Sequence, residues 1–124
     1  NELISQVKAR KLPLALASSS PLSLIYAVLD KFGIRSEFDL IKSAEFEKYG
    51  KPHPGVYTAT VEELGLPSEN CLTFEDSLAG IIAAKAAGMK AVAVPQEEFK
   101  NEKRFILADI RLERLDDFDF SLLD

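Results

Sequence analysis

The chain is poor in the residues that cross-link, span membranes or bind polyanions. It has one cysteine, Cys71. A disulfide framework is therefore excluded, and a reducing compartment, the cytoplasm, is the expectation. No apolar run approaches the length needed to cross a bilayer, and no signal-peptide pattern opens the sequence. Basic residues are outnumbered: 15 Lys and Arg stand against 20 Asp and Glu, for a net charge of −5. That balance argues against nucleic acid as a partner. The one basic cluster, Lys8-Ala9-Arg10-Lys11, closes a helix-like segment, where it complements the helix dipole. Internal repeats, low-complexity stretches and signs of a second domain are lacking too.

What is there is ordinary for a globular chain. The 124 residues are 47% apolar and 28% charged, enough for one domain with a real core. Apolar spacing predicts an amphipathic helix over 1–12, with Leu3, Ile4 and Val7 on one side. Leu12 to Ala17 reads as a strand buried on both faces. Pro21 opens a second helix, with Ser20 as its N-cap and Gly33 just past its end. Strands follow near 38–43, 71–74, 90–94 and 110–112. Helices are expected at 56–64 and 77–87, ended by Gly65 and Gly88. The segment 44–55 reads as loop. Strand and helix alternate at a rhythm that implies an α/β fold with a parallel sheet and right-handed crossovers.

Three polar motifs close apolar runs. Ser18, Ser19 and Ser20 follow Leu14-Ala15-Leu16-Ala17; their hydroxyls and N–H groups could hold a phosphate oxygen, or form a serine turn and a cap. Lys51 lies in GKPHP at 50–54, where flanking prolines stiffen the backbone and could present a fixed positive charge. The same lysine could be a solvated loop residue. His53, the one histidine, could protonate a leaving group, or merely pack. Glu75 and Asp76 end the apolar run Cys71 to Phe74, and adjacent carboxylates suit a hard cation. Asp76 or Ser77 would equally suit an N-cap. Cys71 reads as a small buried hydrophobe.

Taken in order, these motifs resemble those of haloacid dehalogenase-superfamily phosphatases, in the branch of β-phosphoglucomutase and the sugar-phosphate phosphatases. LALASSSP at 14–21 is similar to the family's second motif, GKPHPGVY at 50–57 to its third, and CLTFEDSLAGIIAAKAAGMKAVAVP at 71–95 to its acidic fourth. The resemblance runs over nearly the whole chain. It implies a Rossmann-like parallel sheet flanked by helices, Ser18 and Lys51 acting in catalysis, and Ser18, Ser19, Ser20 and Lys51 binding phosphate. It also implies Mg²⁺ held by Asp76 and Glu75, and a small phosphorylated metabolite as substrate. A flavodoxin-like or response-regulator domain would carry its acids after the first strand rather than the third.

One departure bears on activity. The family's first motif, DxDG[TV], which supplies the nucleophilic aspartate, is absent; Asp117-Phe118-Asp119 lies at the wrong end and continues with Phe120-Ser121. The helical cap that follows the first strand is absent as well. Asn1 in place of methionine, and an opening helix like the segment after a cap, give the expectation of a C-terminal part of a longer protein. On this reading residues 1–124 are one incomplete core domain, inactive alone, with a gap in the sheet that invites self-association. A phosphomutase of the same branch and a non-catalytic binding module remain as alternatives.

Overall fold

A computed structural model describes residues 2–123. Its elements alternate as α1 (Glu2–Ala9), β1 (Ala15–Ser18), α2 (Leu22–Lys31), β2 (Leu40–Ser43), α3 (Gly55–Leu64), β3 (Leu72–Glu75), α4 (Leu78–Ala86), β4 (Lys90–Ala93) and β5 (Ile110–Arg111), with 3₁₀ turns between them. None of these helices is long and apolar enough to cross a membrane. The expected α/β alternation is present, with shifted ends. α1 stops earlier than residue 12 because Lys11 turns left-handed at φ +56, and the Lys11 and Leu12 N–H groups bond back to Lys8 and Val7. Pro13 then has no N–H for a ladder, so β1 starts at Ala15 rather than Leu12.

The start of α2 corrects a second expectation. Ser20 is not its cap: Pro21 occupies the N-cap position, with no side-chain bond. The carbonyl of Ser20 instead accepts the Ser43 hydroxyl at 2.6 Å. The Leu22 N–H is satisfied from outside, by the Glu45 carboxylate at 2.9 Å. Proline at the cap position holds φ −58 and ψ 145, and the open donor is met by a charge supplied from the turn after β2.

All strand pairs are parallel, but they form two sheets, β1–β2 and β3–β4–β5. Each half begins with the same device. Asp39 donates its N–H to Leu14 and accepts the Leu14 N–H on its carboxylate, at 2.7 and 2.8 Å. Asp109 does the same with Ala91, at 2.9 and 2.8 Å. Between β1 and β3 there is no ladder. The Cys71 and Glu75 carbonyls bond to Lys90 and Val94, which spends that edge of β3 on β4. Alternation turns the backbone groups of Leu72 and Phe74 toward the open side.

The main core lies where α3 and α4 cover the sheet. Val56, Tyr57 and Val61 of α3 meet Ile81, Ala83 and Ala84 of α4, with Ala91, Ala93 and Phe105. Alanines at both levels allow α4 to lie close on β4, and dense apolar burial of this kind is the dominant favourable term in folding. On the other side, Phe74, Phe118 and Phe120 stack edge to face at 5.1 Å, and Arg10 lies 4.4 Å over the Phe120 ring.

Candidate active site

The carboxyl ends of β1 and β3 face each other across the break, and one side chain spans them. Lys51 enters from the loop before α3, beside a cis Lys51–Pro52 bond. Its Nζ donates to the carbonyl of Ala17 in β1 at 3.3 Å and to the Glu75 carboxylate at the end of β3. It also approaches the Tyr57 hydroxyl at 3.4 Å and lies 4.8 Å over that ring. The pair is nearly dry, with side-chain exposures of 11% for Lys51 and 8% for Glu75. A buried ion pair survives only when further bonds satisfy its remaining capacity. Tyr57 and the Ala17 carbonyl do so here.

Tyr57 comes from the first turn of α3 and is buried. Its hydroxyl donates to Glu75 and accepts from Thr73 Oγ1 at 3.0 Å. Burial pushes the Tyr57 phenol far above its usual value, and the negative charge of Glu75 pushes it further. The phenol therefore remains a donor at physiological pH. Gly80 of α4 makes room for this arrangement: a Cβ there would collide with the Glu75 carboxylate.

The expected site residues separate into two groups. Lys51 and Glu75 meet directly, and Lys51 touches the residue before Ser18. Ser18 Oγ accepts the Ser20 N–H at 3.1 Å, so the serine turn is formed, with Ser19 exposed at its tip. Asp76 points elsewhere. It is exposed, and its carboxylate accepts from Gln96 Nε2 at 3.2 Å. The helix cap falls to Ser77, which accepts the Gly80 N–H at 3.0 Å and leaves Asp76 unused as a cap. His53 lies outside this cluster; its Nδ1 accepts the Gly55 N–H at 3.0 Å and its ring stands 5.2 Å from Tyr49. Cys71 is free and half-buried.

Tyr57, Thr73 and Gly80 were not singled out from the sequence. Tyr57 reads there as one more apolar-face residue of a helix. The available signal was the period of two in β3, which puts Thr73 and Glu75 on one face, opposite a buried residue that carries a hydroxyl.

A hard cation needs several oxygen donors converging on one point. Glu75 and Asp76 are hard oxygen donors, but one oxygen of Glu75 is committed to Lys51 and Tyr57. Among the described residues no three His, Cys, Asp or Glu side chains converge on one point. These two carboxylates by themselves therefore fall short of the six or more oxygens of a hard-cation shell.

A family model for haloacid dehalogenase-like hydrolases matches residues 1–88. The chain belongs to that family. Hexitol phosphatase B of Escherichia coli (strain K12) is 43% identical over 114 residues, covering 92% of this chain and 51% of the relative. A variant of CbbY from Rhodobacter sphaeroides, solved in complex with xylulose-(1,5)bisphosphate, superposes with a TM-score of 0.90 at 31% identity, covering 99% of this chain and 56% of that one. A β-phosphoglucomutase from Clostridium difficile gives 0.84 at 29% identity, covering 98% and 52%. The chain thus spans about half the length of the relatives it matches. Its family, its parallel α/β architecture and its resemblance to sugar-phosphate phosphatases and phosphomutases agree with the motif reading.

Proposed function

We propose that this chain supplies the phosphate-binding half of a phosphatase acting on small phosphate monoesters of the sugar-phosphate type. The observation that carries the reading is Lys51, a nearly dry ammonium fixed at the carboxyl ends of both half-sheets, one residue's reach from Ser18. A cation held in place before the reaction stabilises charge developing on a transferring phosphoryl group without reorganising. The Ser18 hydroxyl and the N–H groups of the Ser19–Ser20 turn would take the remaining oxygens.

The nucleophile would be an aspartate outside these 124 residues. Its carboxylate would attack phosphorus in line, the alcohol would leave, and water would then cleave the aspartyl phosphate. The break between β1 and β3 supports that reading, because both bordering strands have backbone groups turned to an open edge. Without a strand there, those edges would pair with a second copy of the chain. Mg²⁺ would be held by Asp76, Glu75 and a further acidic donor outside these residues, and when bound it would offset the charge between carboxylate and phosphate. The reading places the protein in the cytoplasm.

In the full-length protein, Lys51→Ala and Asp76→Asn should each lower turnover of a sugar phosphate by about 100-fold or more. Near-normal rates in a phosphate-release assay would overturn the site. The likeness to β-phosphoglucomutase keeps a phosphomutase as the second reading, and isomerisation of the sugar phosphate without phosphate release would favour it.

A further inference from the structure

We infer that Tyr57 is a positioning residue, whose hydroxyl fixes the Glu75 carboxylate and through it the Lys51 ammonium at the phosphate end of the site. The inference rests on the proposed role of Lys51. Three observations carry it. The Tyr57 oxygen uses its full capacity in this cluster: it donates to Glu75 and accepts from Thr73 and Lys51. The Glu75 oxygen that Tyr57 bonds is the same one that Lys51 takes, so moving one partner moves the other. Gly80 closes the remaining side, since any side chain there would drive Glu75 out of its seat.

Packing alone does not account for this. A phenylalanine would fill the same volume on α3 without a polar atom to satisfy. A hydroxyl buried among Lys51, Glu75 and Thr73 does have an electrostatic task. It shares the Glu75 charge with Lys51, so the ammonium is not pulled wholly onto the carboxylate and stays anchored on the Ala17 carbonyl beside Ser18. Glu75 then orients Lys51 as well as neutralising it. Losses of about 10- to 100-fold are usual when the hydrogen-bond partner of a metal-ligating side chain is removed, the place Tyr57 takes beside Glu75 in the proposed site.

The test uses the full-length protein, with Tyr57→Phe beside Lys51→Ala and two readouts. One is the kcat and KM for a sugar phosphate. The other is the ¹H–¹⁵N signal of the Lys51 ammonium, assigned by its loss in Lys51→Ala. Tyr57→Phe is expected to lower kcat about 10-fold with KM within about two-fold. The ammonium signal should broaden into fast exchange while the melting temperature stays close to that of the parent. An unchanged ammonium signal together with unchanged kcat overturns the inference and leaves Tyr57 a packing residue. If Lys51→Ala itself turns over normally, the phosphatase reading of the site fails first, and the ammonium signal still decides whether Tyr57 holds the pair. Should Tyr57→Phe fail to fold, Thr73→Val carries the test: it removes the hydroxyl that donates to Tyr57 and leaves α3 intact, and it should give a smaller loss of kcat in the same direction.

Discussion

The two half-sheets are built by the same grammar and to different depths. Each is parallel, and each opens with an aspartate that bonds its neighbour through both backbone and carboxylate. Beyond that they diverge. The β3–β4–β5 half carries most of the closed core: Ala91, Val92 and Ala93 are fully buried, as are Ile81, Ala83 and Ala84 above them. In the β1–β2 half, no residue of β1 is fully buried, and α2 buries only Ile25 and Leu29 while exposing Leu24 and Val28, with Phe32 exposed at its C-terminal cap. The difference teaches where stability and chemistry are divided. The β3–β4–β5 half is the more completely closed, while the β1–β2 half, covered by α3 on one face and by the thinner α2 on the other, brings the serine turn to a site whose anchor is on the far side. Lys51 connects them.

The largest expected effect tests that division directly. Ile81 has no exposed surface and sits at the centre of the α4 contact. Ile81→Ala removes buried methyls and leaves a cavity, which should cost about 3–4 kcal/mol and lower the melting temperature by about 10 °C or more. Ile25→Ala, in the thinner half and outside the main cluster, should cost about 2 kcal/mol, because the open surroundings can relax around the loss. Thermal unfolding of the two variants side by side gives the comparison. Equal costs would mean that the halves are equally tight and that the split is one of hydrogen bonding only.

Much of this was legible from residue patterns, for physical reasons that differ by element. Gly33 and Gly65 marked helix ends because a left-handed residue is needed there, at φ +66 and +70. The strand at 90–94 was legible because an apolar run stops at Pro95, and it forms over Lys90–Ala93. Lys51 and Glu75 were legible as chemistry-bearing residues, though their meeting was not: they lie 24 positions apart, and only packing brings them together. The cap of α2 was misread for a similar reason. Local spacing favoured Ser20, but the donor at Leu22 is satisfied by Glu45, 23 residues on. Tyr57 was hidden because helical spacing sees its ring and not its hydroxyl.

A smaller effect separates the two opening aspartates. Asp109 accepts Lys85 Nζ at 2.8 Å as well as the Ala91 N–H, and these contacts, Lys85 first, hold its carboxyl below the ordinary carboxylate range. A depressed value in the folded state means that the charged form stabilises the fold. That contribution is complete above the ordinary carboxylate pKa of about 4 and is lost as pH falls through the lower folded value. Both partners are about a third exposed, so solvent screens the pair and Asp109→Asn should cost about 0.5 kcal/mol at pH 7. The deficit against the parent protein should begin to shrink below about pH 4, where the carboxylate of the unfolded chain takes up its proton, and vanish only below the lower folded value. Asp39 has a looser partner, with Lys8 Nζ 3.9 Å away and both groups well exposed. Asp39→Asn should cost less than Asp109→Asn at pH 7. Urea titrations at pH 7 and pH 3.5 read both, and an Asp109→Asn deficit that persists undiminished in acid would remove the ion pair from the account.

The smallest effect on stability carries the most information about association. Leu24 and Val28 on α2 and Phe32 at its C-terminal cap follow one another at intervals of four, and Phe32 is 65% exposed. A triple change to Leu24→Lys, Val28→Glu and Phe32→Lys removes surface that folding scarcely buries, so unfolding should move by no more than about 0.5 kcal/mol. The open edges of β1 and β3 are backbone, and side-chain changes on α2 leave them untouched. If the 124-residue chain self-associates through those edges, its sedimentation behaviour should be the same before and after the triple change. Loss of the associated species in the variant would move the contact from the sheet to the helix, and the stripe on α2 would then be the sticky face of the thinner half.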